Sequence, residues 1–452
     1  MFTTQDQSMR SNLTINILLG GGLLLAVSLG PLVVGVLPVA AAVVALGPVA
    51  CFTLYAVAPV RPKVWSKKLA LVALSICFAV TGFDLITRAL VLYVFEDRPK
   101  VLFAHRLAAL PELYRLPPNV RYHGATCGDL AATATRKEWR TYRAVTFTTD
   151  AAGFRNDPAD TDATQPLDLV MLGDSFGMGA GTSQERTWCT LLARAHGLAA
   201  YNLSMDGASP WQEYITILLE SDRLKLRAGT IVLWTFFEGN DLDDLYLPVY
   251  ERAQLPWRGR AAQLEDMARD FRYRSPLRRI LLHEREPSPR ADVQAVQVGQ
   301  RTVLFFRPYA ARRIRTLADV RAHPNFAQLQ ATIGAMKQFT DSKHLTVVIA
   351  LAPMKEEIYS WLLDGQPPWS VAPAPSAFAQ ALAELSRQQG IAFLDLKPAL
   401  FAAAKQAYES SGALLWWDDD QHWNDLGHRM AAAIYDGLLS NLLRQRARPF
   451  EP

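Results

Sequence analysis

Apolar residues fall along this chain in different rhythms. Residues 11–60 hold no charged side chain, and a further apolar run goes from Leu69 to Phe83 and continues past Asp84 and Arg88 to Phe95. About 20 apolar residues cross a bilayer as a helix. The first stretch therefore predicts two crossings, about 13–35 and 39–60, with Pro31 and Pro38 near the turn, and the second run predicts a third, about 69–92. A cleaved leader ending near Val39-Ala40-Ala41-Ala42 is the rival reading, disfavoured because the apolar run continues well beyond it.

From residue 166 onward the rhythm changes to short apolar runs alternating with amphipathic stretches. Candidate strands are 168–172, 199–204, 230–236, 345–352 and 391–395, and helical patterns occupy 185–196, 211–226, 324–341, 375–389 and 425–443. Strands alternating with helices predict a parallel sheet covered on both faces. The expected fold is α/β, a three-layer α/β/α sandwich around a five-stranded parallel sheet, preceded by about three transmembrane helices. Residues 96–165 lack clear periodicity and read as a connecting region. Residues 241–322 read as an insertion in the 166–445 domain.

Charge gives this organisation an orientation. The chain has 452 residues and a net charge of +4, with a basic loop of Arg61, Lys63, Lys67 and Lys68 between the second and third apolar spans. Positive loops stay in the cytoplasm, so three crossings put residues 96–452 on the periplasmic or extracellular side of the cytoplasmic membrane. Asp84 and Arg88 share a helix face four residues apart and read as an interfacial ion pair. The insertion is dense in arginine (Arg252, Arg258, Arg260, Arg278, Arg279, Arg312, Arg313 and Arg315). It reads as a solvated face or as a surface for an anionic polymer or lipid headgroups. Nucleic acid is excluded as a partner by the expected location. Cys51 and Cys77 fall in apolar spans, and the spacing of Cys127 and Cys189 gives no reason to pair them.

The candidate chemistry sits at predicted strand ends. Met171-Leu172-Gly173-Asp174-Ser175-Phe176 places a serine just past the first strand. Asn202-Leu203-Ser204-Met205-Asp206-Gly207 follows the second, and Glu238-Gly239-Asn240-Asp241 the third. Near the C-terminus, Asp418-Asp419-Asp420-Gln421-His422-Trp423-Asn424 precedes the last helix. Parallel sheets bind ligands beyond the carboxyl ends of their strands, so these segments should converge. A serine hydroxyl becomes a nucleophile when an imidazole takes its proton and a carboxylate orients that imidazole. A glycine N–H and an asparagine amide are suitable oxyanion donors. Asp174, beside the serine on a tight turn, reads as a local hydrogen-bonding residue, and His428 as a packing or surface histidine.

Taken together, Ser175, Gly207, Asn240 and His422 resemble the four sequence blocks of the GDSL/SGNH hydrolase superfamily. The resemblance covers about 165–445. It implies a flavodoxin-like sandwich, with Ser175 as nucleophile and His422 as general base. Ser175 N–H, Gly207 N–H and the Asn240 side chain are then the oxyanion donors, with no metal or organic cofactor needed. Two spacings compete for the acid: Asp-x-x-His selects Asp419, whereas the Asp-x-His-Trp pattern of a membrane-associated branch similar to alginate O-acetyltransferases selects Asp420, which is favoured because His422-Trp423-Asn424 looks like that branch. Glu238 stands where the third block usually carries glycine. Ala152-Gly153-Phe154-Arg155 and Pro353-Met354-Lys355-Glu356-Glu357-Ile358-Tyr359 also look like that branch. In this light Lys355 is either structural or holds an acyl donor or sugar. Trp423, with Trp416 and Trp417, is either core or a sugar platform.

The function this implies is an acyl-serine enzyme, an O-acyltransferase or O-acylesterase, acting on ester groups of a cell-surface glycan. Its substrate would be an acylated glycan or a small acyl ester. Membrane tethering favours transfer, which would need an acyl group delivered by a separate multi-span membrane acyltransferase. The alternative is an inactive SGNH-fold protein that binds glycan or serves as a scaffold in an envelope polysaccharide system.

Overall fold

The computed structural model describes residues 105–106, 113–134, 136–157, 165–243 and 292–447. All of these belong to one compact unit, Asp97–Pro256 together with Pro287–Pro452. The three expected membrane crossings lie outside the described residues, as do Arg252, Arg258, Arg260, Arg278 and Arg279. Among the described residues, no helix is long and apolar enough to cross a membrane.

In chain order, a two-residue antiparallel pairing of His105–Arg106 with Tyr114–Arg115 comes first, and an antiparallel hairpin follows, β1 (Arg121–Thr126) and β2 (Arg143–Thr148), with the short helix α1 (Asp129–Thr133) between its strands. The sandwich then begins with β3 (Leu167–Gly173), α2 (Ser175–Met178), α3 (Trp188–His196), β4 (Ala200–Asn202), α4 (Pro210–Glu220) and β5 (Leu226–Phe237). A second antiparallel hairpin, β6 (Val293–Val298) and β7 (Arg301–Phe306), precedes helices at Arg307–Arg312 and Leu317–Arg321. The sandwich resumes with α5 (Phe326–Ser342), β8 (Thr346–Ala352), α6 (Lys355–Ile358), α7 (Ala377–Gln388), β9 (Ala392–Asp395), α8 (Lys397–Ser411) and α9 (Asp425–Ala447).

The five predicted strands make one sheet in the order β9-β8-β5-β3-β4, and every neighbouring pair is parallel. Side chains alternate between faces along a strand, and here both faces are apolar. Val170 and Leu172 of β3, Val232, Trp234 and Phe236 of β5, and Val347, Ile349 and Leu351 of β8 enter one core with α4, α5 and α7. Leu169, Met171, Ile231, Leu233, Val348 and Ala350 enter the other with α3, α8 and α9. This is the expected α/β/α sandwich, with a central five-stranded parallel sheet.

The region 96–165, expected to be merely connecting, contains the β1–β2 hairpin and α1. The hairpin escaped notice because it buries little: β1 alternates exposed and half-buried residues, with only Thr126 buried. Helix α8 was also unpredicted, since its buried stripe is just Lys397, Leu400 and Ala404. Such a stripe is narrower than the three to four apolar positions per two turns of a typical core-facing helix.

Two features fix the loop between α8 and α9 over the strand ends. Tyr435 of α9 stacks on Trp188 of α3 with ring centroids 4.2 Å apart, and its hydroxyl meets Thr235 Oγ1 at 2.8 Å. The loop itself is closed by an antiparallel bridge between Trp416 and Trp423, reinforced by Trp417 N donating to His422 O (3.2 Å) and Asn424 N to Leu415 O (2.9 Å). Residues 417–422 thus form a tied turn.

Candidate active site

Ser175 opens α2 directly after β3. Asp174 caps this short helix by accepting from Phe176 N at 2.8 Å, the local role expected of it. The turn leaves no room for a side chain at Gly177, where a Cβ would lie 2.3 Å from Ser204 Oγ. A glycine there lets the serine turn press against the segment that leaves β4.

The tied turn brings His422 onto the serine. His422 Nε2 lies 2.8 Å from Ser175 Oγ, and His422 Nδ1 lies 2.7 Å from Asp420 Oδ1. An ionised carboxylate only accepts, so Nδ1 carries the proton and Nε2 offers its lone pair to the serine hydroxyl. All three residues are buried. The imidazole is seated against Phe176, whose ring in turn stacks on Phe237 and meets the edge of Trp423.

Between the two proposed acids the hydrogen bonds decide. Asp420 Oδ1 faces the imidazole and also accepts from Gln421 N (2.8 Å), while Oδ2 takes Arg143 Nη2 at 2.6 Å. Asp419 points away: its Oδ2 accepts from Gly128 N (2.7 Å) and Thr141 N (2.9 Å), and its Oδ1 from Arg143 Nη1 (3.0 Å). Asp419 therefore ties the loop to the N-terminal segment and does not touch the histidine. Burial opposes charge on Asp420, yet His422, Asp129 and Arg143 outweigh it and hold this carboxyl well below the usual carboxylate range.

Ser175, Gly207 and Asn240 follow adjacent strands. β3 lies between β4 and β5, so the turns leaving all three meet at one edge of the sheet. Gly207 has φ +69°, in the left-handed region that suits glycine. The Asn240 turn is held from two sides: Asp241 Oδ2 accepts from Phe237 N at 2.8 Å, and Arg312 donates to Gly239 O. Glu238, in the position usually taken by glycine, points into a buried ion cluster, with its carboxylate 3.2 Å from Lys397 Nζ and Glu357 2.6 Å from the same nitrogen.

Both residues expected as substrate contacts are buried structural groups. Lys355 is 1% exposed, and its ammonium donates to the carbonyls of Trp417 (2.7 Å), Leu304 (2.9 Å), Asp420 (3.1 Å) and Asp418 (3.3 Å). It holds the catalytic turn from behind. Burial pushes its pKa down to about 8, opposed by Glu356, Asp418, Asp420 and Asp419. Trp423 and Trp416 are both 0% exposed and pack edge to face. Neither indole can serve as a sugar platform.

Three described arginines of the insertion are also engaged in ion pairs. Arg312 and Arg315 both pair with Asp243, at 3.0 and 2.9 Å, and Arg313 pairs with Asp364 at 2.9 Å. Arg312 and Arg315 thereby brace the segment just after Asn240, and none of the three is a free cation. His428 is buried with Nδ1 accepting from Trp188 N (3.3 Å), and burial lowers its pKa to about 3. It is a neutral packing histidine. Cys127 and Cys189 are both buried free thiols.

Asp129, Asp420 and His422 bring potential metal-ligand atoms within 4.8 Å of one another, the one such grouping among the described residues. Both ring nitrogens of His422 are already committed, to Asp420 and Ser175. The imidazole therefore has no nitrogen left for a metal while the relay stands. Arg143 and Asp129 are the residues at this site that sequence reasoning missed. They lie in the apparently featureless region, almost three hundred residues from their partners, and no local signal marks them.

Residues 296–447 match the family model described as the SGNH hydrolase-like domain of the acetyltransferase AlgX. Comparison with curated proteins gives no match. Among solved structures, the chain is similar to the psychrotrophic esterase EstA from Pseudoalteromonas sp., at 11% identity and TM-score 0.31, covering 61% of this chain and 99% of that one. It is likewise similar to a lipolytic protein of the G-D-S-L family from Veillonella parvula, at 13% identity and TM-score 0.32, covering 60% and 97%. A third is the acetyl xylan esterase AlAXEase, at 12% identity and TM-score 0.31, covering 60% and 99%. The matched segment carries Asp420 and His422, the parallel sheet carries Ser175 to meet them, and residues 296–447 are thus similar to the SGNH hydrolase-like domain of the acetyltransferase AlgX.

Proposed function

We propose that this chain is an acyl-serine enzyme that moves an ester-linked acyl group onto or off a cell-surface glycan, outside the cytoplasmic membrane. The observation that carries the proposal is the continuous hydrogen-bonded line from Ser175 Oγ through His422 to Asp420. An inactive scaffold has no use for that alignment.

In the first half-reaction Ser175 Oγ attacks the acyl carbonyl carbon while its proton passes to His422 Nε2. The imidazolium gains support from Asp420, already ionised and hydrogen-bonded to Nδ1. Ser175 N–H, Gly207 N–H and the Asn240 amide serve the developing oxyanion. Collapse of the tetrahedral species breaks the acyl C–O bond, and His422 returns the proton to the departing alcohol oxygen. The second half repeats these steps in reverse order with a new nucleophile. A glycan hydroxyl gives transfer and water gives hydrolysis.

Transfer is favoured by the AlgX-like match and by the apolar spans at 11–60 and 69–83, separated by a basic loop. Those spans support a cytoplasmic-membrane location with the sandwich on the periplasmic or extracellular side. They also offer a docking surface for a multi-span acyltransferase that supplies the acyl group. The test is hydrolysis of an aryl acetate by the full-length chain and by Ser175→Ala. Loss of one member of such a relay removes several orders of magnitude in kcat, and equal rates would refute the proposal.

A further inference from the structure

The N-terminal segment that the sequence leaves featureless wraps the turn bearing the acid. Gly128 N and Thr141 N donate to Asp419 Oδ2, Ala131 N donates to Asp419 O (3.2 Å), and Asp129 Oδ1 accepts from Gln421 N (3.0 Å). The approach is close: a Cβ on Gly128 would lie 1.8 Å from Asp419 O. Only glycine fits there.

Within this wrap, one guanidinium joins the two halves of the site. Arg143, on β2, uses each edge of its fork differently. Nη2 binds Asp420 Oδ2 (2.6 Å), Nη1 binds Asp419 Oδ1 (3.0 Å), and Nε donates to Gly181 O (3.1 Å) on the segment that follows the nucleophile helix. Its Cζ lies 4.3 Å from the centroid of the Trp417 ring, a cation–π contact that also holds it in place. Asp420 must keep Oδ1 on the imidazole, and rotation about its Cβ–Cγ bond would carry that oxygen away. With Oδ2 held by Arg143, that rotation is closed. Charge-assisted bonds in a fork geometry both strengthen and orient such contacts, and a lysine ammonium cannot reproduce the fork.

Resting on the acyl-serine reading above, we propose that Arg143 is a positioning residue for acyl transfer: through Asp420 it holds the His422 imidazole against Ser175, and through Gly181 it ties that relay to the nucleophile turn. The β1–β2 hairpin, outside the segment that matches the family model, is on this account a working part of the catalytic apparatus.

Kinetics separate this role from a merely structural one. Around Arg143 stand the carboxylates of Asp129, Asp419 and Asp420 and the imidazole of His422, with Asp418 and the Lys355 ammonium behind the turn and Arg301 beside Asp418. Removing the guanidinium takes a positive charge from the Asp420–His422 pair, which then binds a proton more readily. The acid limb of the kcat/KM profile should therefore move to higher pH. In Arg143→Met of the full-length chain, kcat for aryl acetate hydrolysis should fall about 100-fold, the scale of an ångström-sized misplacement, with KM changed by less than about twofold. Arg143→Lys keeps the charge and the position of the acid limb but loses the fork, so kcat should fall about tenfold.

Should Arg143→Met fail to fold, Arg143→Lys decides. Wild-type kcat in Arg143→Lys would overturn the proposal, as would an unmoved acid limb in a folded Arg143→Met. Ser175→Ala, measured alongside, keeps the two readings apart: if it is inactive while Arg143→Lys is normal, only the positioning role is lost, and if it is as active as wild type, the acyl-serine reading itself fails.

Discussion

Asparagine at position 420 or at 419 should have opposite consequences, although the two residues are neighbours and both are buried. At 420 the amide should keep its oxygen toward Arg143 Nη2, because an NH2 group facing that cationic donor costs more than one facing the neutral Gln421 N–H on the other side. Its NH2 group then points at His422 Nδ1, now 2.7 Å from a carboxylate oxygen. Nδ1 must surrender its proton to accept that bond, and the proton moves to Nε2, facing Ser175 Oγ. The base is then in the wrong tautomer. A relay with this defect loses about 10³- to 10⁴-fold in kcat, or about 4–5 kcal/mol of transition-state stabilisation. At 419 the oxygen stays on Gly128 N and Thr141 N, and the NH2 group meets Arg143 Nη1, so one charge-assisted bond is lost. That costs roughly 1.5–3 kcal/mol of stability, while Arg143 keeps its hold on Asp420 and Gly181, and kcat should fall less than about tenfold. Aryl acetate kinetics and urea denaturation on the two variants read both effects. Asp419→Asn losing as much kcat as Asp420→Asn would refute this assignment of the acid.

Two further outcomes follow from the buried residues behind the site. Trp423→Ala should lower stability by about 3–5 kcal/mol in denaturant unfolding, as a core indole does, whereas a sugar platform would raise the KM for an oligosaccharide acceptor without that loss. Lys355 should give an alkaline limb: as pH rises through about 8 the ammonium becomes an amine with two N–H donors for four carbonyls, and kcat should fall. Its folded pKa lies below the unfolded value, so the unfolded chain binds more protons between about 8 and 10.5. The contribution of Lys355 to stability therefore rises across that window, and activity should decline without a matching fall in its melting temperature.

The sheet was legible because both of its faces are buried. Runs such as Leu167–Leu172 and Leu345–Ala352 are nearly continuous in apolar residues, and their observed limits agree within a residue or two. The expectation that the sheet is parallel then put Ser175, Gly207 and Asn240 beyond the carboxyl ends of their strands, at one edge. The acid was legible only as a preference for Asp420 from the Asp-x-His-Trp spacing, since the contacts that turn Asp419 away from the histidine come from residues 128–143. Lys355 and Trp423 misled for a related reason. A motif shows that a residue type recurs near a site, but whether its side chain meets substrate or the back of the loop depends on tertiary packing. Arg143 lies on a hairpin with little buried surface, which leaves no periodic trace.

The central claim is a covalent acyl group on Ser175. The full-length chain should be incubated briefly with an activated acyl ester, acid-quenched, digested and analysed by mass spectrometry, alongside Ser175→Ala and His422→Ala. The account predicts an adduct with the mass of the acyl group on the Ser175 peptide of the wild type, absent from Ser175→Ala and strongly reduced in His422→Ala. Turnover of the ester with no adduct at Ser175, or with equal turnover in Ser175→Ala, would contradict it.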